Sequence, residues 1–160
     1  MSNRDKIERL FGICREKGVK IATAESCTGG LVSAALTDVS GSSDVFECGF
    51  VTYSNKSKAD LLGIPKELID EKGAVSFEVA VSMAHGALNG TQANLSIAIT
   101  GVAGPNGTEE KPVGLVYISS KYSLSDNLIK EKHLFSGSRD EIRKSAVNAA
   151  VDMLLTQVEN

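Results

Sequence analysis

Apolar runs of strand length alternate with stretches of helical periodicity from one end of the chain to the other. Within 3–17, Ile7, Leu10, Phe11 and Cys14 recur at helical spacing, and Gly18 supplies the stop. Residues 19–24 read as a buried strand and 29–38 as a helix. The run 45–53 carries Phe46, Phe50, Val51 and Tyr53 and reads as a second strand. Ser54-Asn55 offers an N-cap for a short helix closed by Gly63, Pro65 opens another at 65–72, and Ser76 caps a longer one at 77–89. Leu95 to Thr100 is a buried strand, followed by a long irregular segment at 101–112. The runs 113–121 and 128–135 predict an antiparallel hairpin, and Ser138-Arg139-Asp140-Glu141 opens the last helix with a capping box. No linker, repeat or low-complexity tract divides this pattern. It predicts one α/β domain over 1–160, a three-layer α/β/α sandwich whose closing hairpin makes the sheet mixed.

The charge balance narrows the function. A net charge of −3 and a pI of about 5.4 weaken the case for nucleic acid as the main partner. The chain has no Trp, five Phe and three Tyr, too few for a base-stacking surface. No apolar run approaches membrane-span length and Met1 to Lys6 lack an apolar signal region, so a cytoplasmic location is expected. Cys14, Cys27 and Cys48 are odd in number and widely spaced, which gives neither a disulfide framework nor a zinc pattern. With only His85 and His133 to add, no metal site is expected.

Chemistry is first suggested by Lys20 to Gly30, where an apolar run breaks into Glu25-Ser26-Cys27-Thr28 and two glycines before a helix. One reading makes Ser26 a nucleophile and gives the following N–H groups an oxyanion to hold. The plainer one is a strand-to-helix turn with Ser26 or Thr28 as its N-cap. Cys27 is a rival nucleophile, since a helix N-terminus favours a thiolate, or else a small apolar filler.

A serine needs a base. His85 lies mid-helix among Met83, Ala84 and Ala87 and reads as a packing residue, while His133 reads as exposed or at a sheet edge. A lysine base must be uncharged, and Lys58 falls in the first turn of the helix capped by Ser54 or Asn55. The helix dipole contributes only about 0.3–1 kcal/mol there, so burial has the larger share to supply. Tyr53 is placed to relay a proton or hydrogen-bond the lysine. Against this stands a solvated Lys56/Lys58 pair with Tyr53 packed at a strand end, the preferred reading for Lys56 and an open one for Lys58. In the 101–112 segment, Gly101, Gly104, Gly107 and Thr108 are suited to wrapping a phosphate, with Lys111 and Arg139 adding charge. A solvated loop and a helix-start residue explain those two cations equally well.

Taken in order, several segments closely resemble the nicotinamide-nucleotide amidase family, also known as the C-terminal domain of competence-damage-inducible protein A (CinA). They are Ala24-Glu25-Ser26-Cys27-Thr28-Gly29-Gly30, Gly41-Ser42-Ser43, Gly49 to Asn55 with Lys58, Leu62-Gly63-Ile64, Gly73-Ala74-Val75-Ser76, Thr100 to Pro105 and Lys111 to Gly114. The likeness runs over nearly the whole chain and is that of the stand-alone form. It implies hydrolysis of nicotinamide mononucleotide to nicotinic acid mononucleotide and ammonia, without metal or cofactor, by a homo-oligomer, commonly a dimer. It implies Ser26 as nucleophile with Lys58 and Tyr53 as base, and N–H groups around Cys27, Thr28, Gly29 and Gly30 holding the oxyanion. The Gly-rich loop, through Gly101 and Gly104, and a cation, Lys111 or Arg139, would take the phosphate. Lys56 falls on a variable position. Ser138 stands where the family often has an acidic residue, which leaves Arg139 carried over and Ser138 uninformative. The alternative is a regulatory module that binds a nucleotide or phosphate without turnover.

Overall fold

The computed structural model describes residues 1–160. Helices α1 (Asn3–Lys17), α2 (Leu31–Thr37), α3 (Asn55–Leu62), α4 (Lys66–Lys72), α5 (Phe77–Leu88) and α6 (Arg139–Glu159) alternate with strands β1 (Ile21–Glu25), β2 (Phe46–Val51), β3 (Leu95–Gly101), β4 (Leu115–Tyr122) and β5 (Asn127–Leu134). The expected caps form. Ser54 accepts from the Ser57 N–H, Ser76 from that of Val79, and Ser2 and Ser138 both close capping boxes.

The five strands lie in the order β2-β1-β3-β4-β5. β1 runs parallel to both of its neighbours, and β4 and β5 are antiparallel additions. The mixed sheet is the one the closing hairpin predicted. Helices α1, α2 and α6 cover one face, where Leu10, Phe11, Leu36, Ile97, Ile118, Val151 and Leu154 belong to a single apolar cluster. Helices α3, α4 and α5 cover the other, over the small side chains Ala22, Ala24 and Ala98. Burying such residues contributes roughly 1.5–3 kcal/mol for each large apolar side chain. No helix is long and apolar enough to cross a membrane.

The connectivity decides where a site can form. From β1 the chain crosses to β2 on one side, then returns through α3, α4 and α5 to β3 on the other. The carboxyl ends of β1, β2 and β3 thus flank a switch point, the place where open α/β sheets form a crevice.

Candidate active site

Ser26 follows directly on β1, and its N–H donates to the Ile99 carbonyl of β3 at 3.0 Å. On the other side the Thr52 N–H donates to the Glu25 carbonyl at 2.8 Å, which carries the β2 segment forward beside the serine. Ser54 then caps α3, and the first turn of that helix turns the Lys58 side chain inward. Lys58 is only 1% exposed. Its Nζ lies 2.8 Å from Ser26 Oγ and 2.6 Å from the Thr52 carbonyl oxygen. No carboxylate lies within ion-pair distance of Lys58.

A buried amine without a counter-ion is costly to charge. Burial accordingly lowers the Lys58 pKa from its ordinary value, against a small opposing influence of Cys27. The amine donates to the Thr52 carbonyl and to the Ser26 hydroxyl oxygen, and only its uncharged form has a lone pair to accept a proton from that hydroxyl. The same burial acts oppositely on Cys27, whose thiol it pushes up to about 11. The expectation that a helix terminus would favour the Cys27 thiolate is therefore corrected, because desolvation outweighs that influence.

The turn after Ser26 is braced from two sides. Glu25 is completely buried, and its carboxylate accepts from the N–H groups of Gly30, Val32 and Ser33 and from the Ser33 hydroxyl at 2.7–3.2 Å. Glu25, not Ser26 or Thr28, thus caps α2, whose N-cap position is Gly30. From α6, Arg143 donates through Nε to the Cys27 carbonyl at 3.1 Å and through Nη2 to that of Thr28 at 3.2 Å. Gly29 and Gly30 adopt φ of +57° and +105°, values that favour glycine. Their N–H groups point inward, to the Ser26 carbonyl and the Glu25 carboxylate. The N–H groups of Cys27 and Thr28 have no partner in the protein. The Gly29 and Gly30 N–H groups are thus used within the turn, while those of Cys27 and Thr28 are unpaired; of these two residues Cys27 lines the cleft and Thr28 is completely buried.

Ser26, Cys27, Tyr53, Asn55, Lys58, Thr100, Gly101 and Arg139 line one cleft of about 220 Å³, with Ala74, Val75 and Ala103. Tyr53 is 61% exposed, and its hydroxyl accepts from Arg139 Nη2 at 3.1 Å. It does not hydrogen-bond Lys58, so the expected contact with the lysine is replaced by a bridge across the cleft mouth. Arg139 also donates to the Gly104 carbonyl. Lys111 is directed elsewhere, since its Nζ donates to the Val75 carbonyl at 2.6 Å and lies 5.8 Å from the Tyr117 ring centre. Gly104 and Gly107 let the loop fold tightly against Val113, where an added Cβ would come within 2.8 Å. Of the loop residues expected around a phosphate, only Gly101 reaches the cleft wall.

Lys56 is exposed and pairs with Asp60. A larger hollow of about 400 Å³ between α3 and α4 shares Asn55 with the cleft but holds neither Ser26 nor Lys58. His85 is exposed and not the packing residue its helical neighbours suggested. His133 lies on the edge strand β5, where it bonds Glu131 at 2.8 Å. Nowhere do three or more His, Cys, Asp or Glu side chains gather as a metal would require.

Residues 3–158 match the model of the CinA C-terminal domain. The chain belongs to that family. Among CinA-domain relatives, the nicotinamide-nucleotide amidohydrolase PncC of Escherichia coli K12 is 44% identical over 151 residues, covering 94% of this chain and 91% of that protein. A CinA-like protein of Syntrophobacter fumaroxidans is 46% identical over 95% of this chain but only 36% of its own length. This chain thus spans little more than a third of such longer relatives. The crystal structure of competence/damage inducible protein CihA from Agrobacterium tumefaciens is 41% identical and superposes over the whole of both chains with a TM-score of 0.94. The mixed sheet and its helical layers are the CinA-domain fold.

Sequence reasoning missed two residues here. Glu25 stood inside the motif without a role, although a carboxylate at a strand end before a Gly-Gly helix start is a recognisable capping signal. For Arg143 no local signal exists, because its partners are 115 and 116 residues away.

Proposed function

We propose that the chain is an amidohydrolase that releases ammonia from the carboxamide of nicotinamide mononucleotide, with Ser26 as nucleophile and uncharged Lys58 as its base. The observation that carries this reading is the 2.8 Å contact between Lys58 Nζ and Ser26 Oγ in a buried setting with no counter-ion. The similarity to a nicotinamide-nucleotide amidohydrolase over nine-tenths of both chains supports the substrate class.

In this mechanism Lys58 takes the Ser26 proton as Oγ attacks the carboxamide carbon. The tetrahedral oxyanion is met by the Cys27 and Thr28 N–H groups, in a site where preorganised donors count for most. Collapse breaks the C–N bond, and the Lys58 ammonium returns its proton to the leaving nitrogen, which departs as ammonia. Water then gives a proton to Lys58 as it attacks the ester carbon, and collapse breaks the bond to Oγ, which takes that proton back from Lys58 as the acid is freed. Arg139, with Tyr53 at the mouth, is the cation suited to the phosphate; Arg presents a planar fork to such groups. Neither metal nor cofactor takes part in any step. A cytoplasmic setting and a homo-oligomer, a dimer by preference, complete the proposal.

The test is ammonia release from nicotinamide mononucleotide by wild type and Ser26→Ala in parallel. Release that vanishes in the variant supports the proposal. A ligand that binds wild type without any release points to the regulatory-module alternative.

A further inference from the structure

A single guanidinium holds two consecutive carbonyls of the turn that follows Ser26, and this has a geometric consequence. In a trans peptide, the carbonyl of one residue and the N–H of the next point to opposite sides of the plane. The Ser26 carbonyl accepts from the Gly29 N–H at 3.1 Å, which turns the Cys27 N–H the other way. The Cys27 carbonyl accepts from Arg143 Nε at 3.1 Å, which turns the Thr28 N–H away from α6. The Thr28 carbonyl accepts from Arg143 Nη2 at 3.2 Å and from the Leu31 N–H at 3.0 Å, and this closes the turn. The two N–H groups left without a protein partner are those whose planes are fixed in this way.

A second observation is independent of those bonds. A Cβ placed on Gly29 would sit 3.2 Å from Arg143 Nη2, so the guanidinium packs closely against the glycine, whose φ of +57° disfavours any side chain. Backbone and arginine are thus fitted to each other over the three residues after Ser26. Only a planar fork reaches both carbonyls, and a lysine ammonium is a point donor.

We propose that Arg143 is a positioning residue for the oxyanion: it touches no reacting atom, but its fork on the Cys27 and Thr28 carbonyls fixes the Cys27–Thr28 peptide plane behind the cleft wall formed by Ser26 and Cys27, with the Thr28 N–H turned away from α6. The inference rests on the reading of Ser26 as an amidase nucleophile. It adds a remote residue on α6 that governs the transition state and not substrate binding.

The experiment is steady-state ammonia release from nicotinamide mononucleotide by the full chain, for wild type, Ser26→Ala, Arg143→Met and Arg143→Lys. Product affinity for nicotinic acid mononucleotide and the thermal midpoint are measured on each. Arg143→Met is expected to lower kcat by about 10²-fold, the scale of one lost oxyanion donor, with KM and product affinity nearly unchanged. Arg143→Lys is expected to recover only part of kcat. Wild-type kcat in Arg143→Met overturns the inference, as does a fall in kcat accompanied by a rise in KM and a comparable loss of product affinity, which marks a merely structural residue. If Arg143→Met does not fold, Arg143→Lys decides: full kcat overturns the need for the fork, and reduced kcat at unchanged KM supports it. Wild type without release, or release surviving in Ser26→Ala, overturns the amidase reading instead. That failure is visible before any Arg143 substitution is made.

Discussion

Lys58 Nζ and Ser26 Oγ stand 2.8 Å apart although 32 residues separate them, and a lysine that is 1% exposed has no carboxylate to balance it. Burial lowers its pKa. Acylation is therefore expected to rise with pH through an apparent pKa below the ordinary lysine value of about 10.4. The stability sign follows from the same shift. The folded chain binds this proton less tightly than the unfolded chain, so stability grows as pH rises from the folded value to the unfolded one. Lys58→Met should abolish acylation while leaving the neutral-pH thermal midpoint equal or higher. A pH–rate profile and a melting curve check both, and a variant that still acylates would require another base.

Cys27 adjoins Ser26, but its thiol is pushed up to about 11 by burial. Cys27→Ala should keep activity within a few-fold, whereas Ser26→Ala should lose it. Iodoacetamide at neutral pH should leave Cys27 unlabelled in the native protein, as peptide mass mapping would record. Loss of activity in Cys27→Ala with retention in Ser26→Ala would move the nucleophile by one residue.

Glu25 satisfies four donors with one buried carboxylate. In Glu25→Gln an amide nitrogen faces donors it cannot accept from, and each buried donor left unpaired costs about 1–3 kcal/mol. Calorimetry should show a fall in thermal midpoint of at least about 4 °C, on the scale of 2–4 °C per kcal/mol for a chain of this size. kcat should fall as well, because the same carboxylate holds the turn. An unchanged midpoint would mean that the donors find other partners.

Tyr53 bonds Arg139 across the cleft mouth and not Lys58. Tyr53→Phe is therefore expected to act mainly on KM, by releasing the arginine, and to leave kcat within about tenfold, short of the 10²–10⁴ of a lost acid–base group. A loss of kcat on that larger scale at unchanged KM would return the tyrosine to the proton relay.

Gly86 on α5 lies beneath the end of α3, and a Cβ there would sit 2.3 Å from the Leu62 carbonyl oxygen. Alanine in a helix gains roughly 1 kcal/mol over glycine, but overpacking against backbone costs about 1–3 kcal/mol. Gly86→Ala should thus be destabilised on balance. It should also lose activity, because the helix that moves carries Lys58. Denaturant unfolding together with the ammonia assay tests the link.

The sequence by itself determined the elements. Apolar periodicity, Ser54, Ser76 and Ser138 as caps, and Gly18 and Gly63 as stops are local signals, and they gave helices and strands within a few residues of those observed. Local signals placed Ser26 and Lys58 at element boundaries, but a plain turn and a solvated lysine fitted those signals too, and their assignment as nucleophile and base came from the family resemblance. Only the tertiary structure decided the strand order, and with it that the ends of β1, β2 and β3 meet at one crevice. It also decided that Arg139 takes the Tyr53 hydroxyl, that Lys111 turns to Val75, and that Glu25 and Arg143 fix the turn from opposite sides. These are contacts between residues far apart in the chain. Their partners are chosen by how helices pack on the sheet, which no local spacing of residues encodes.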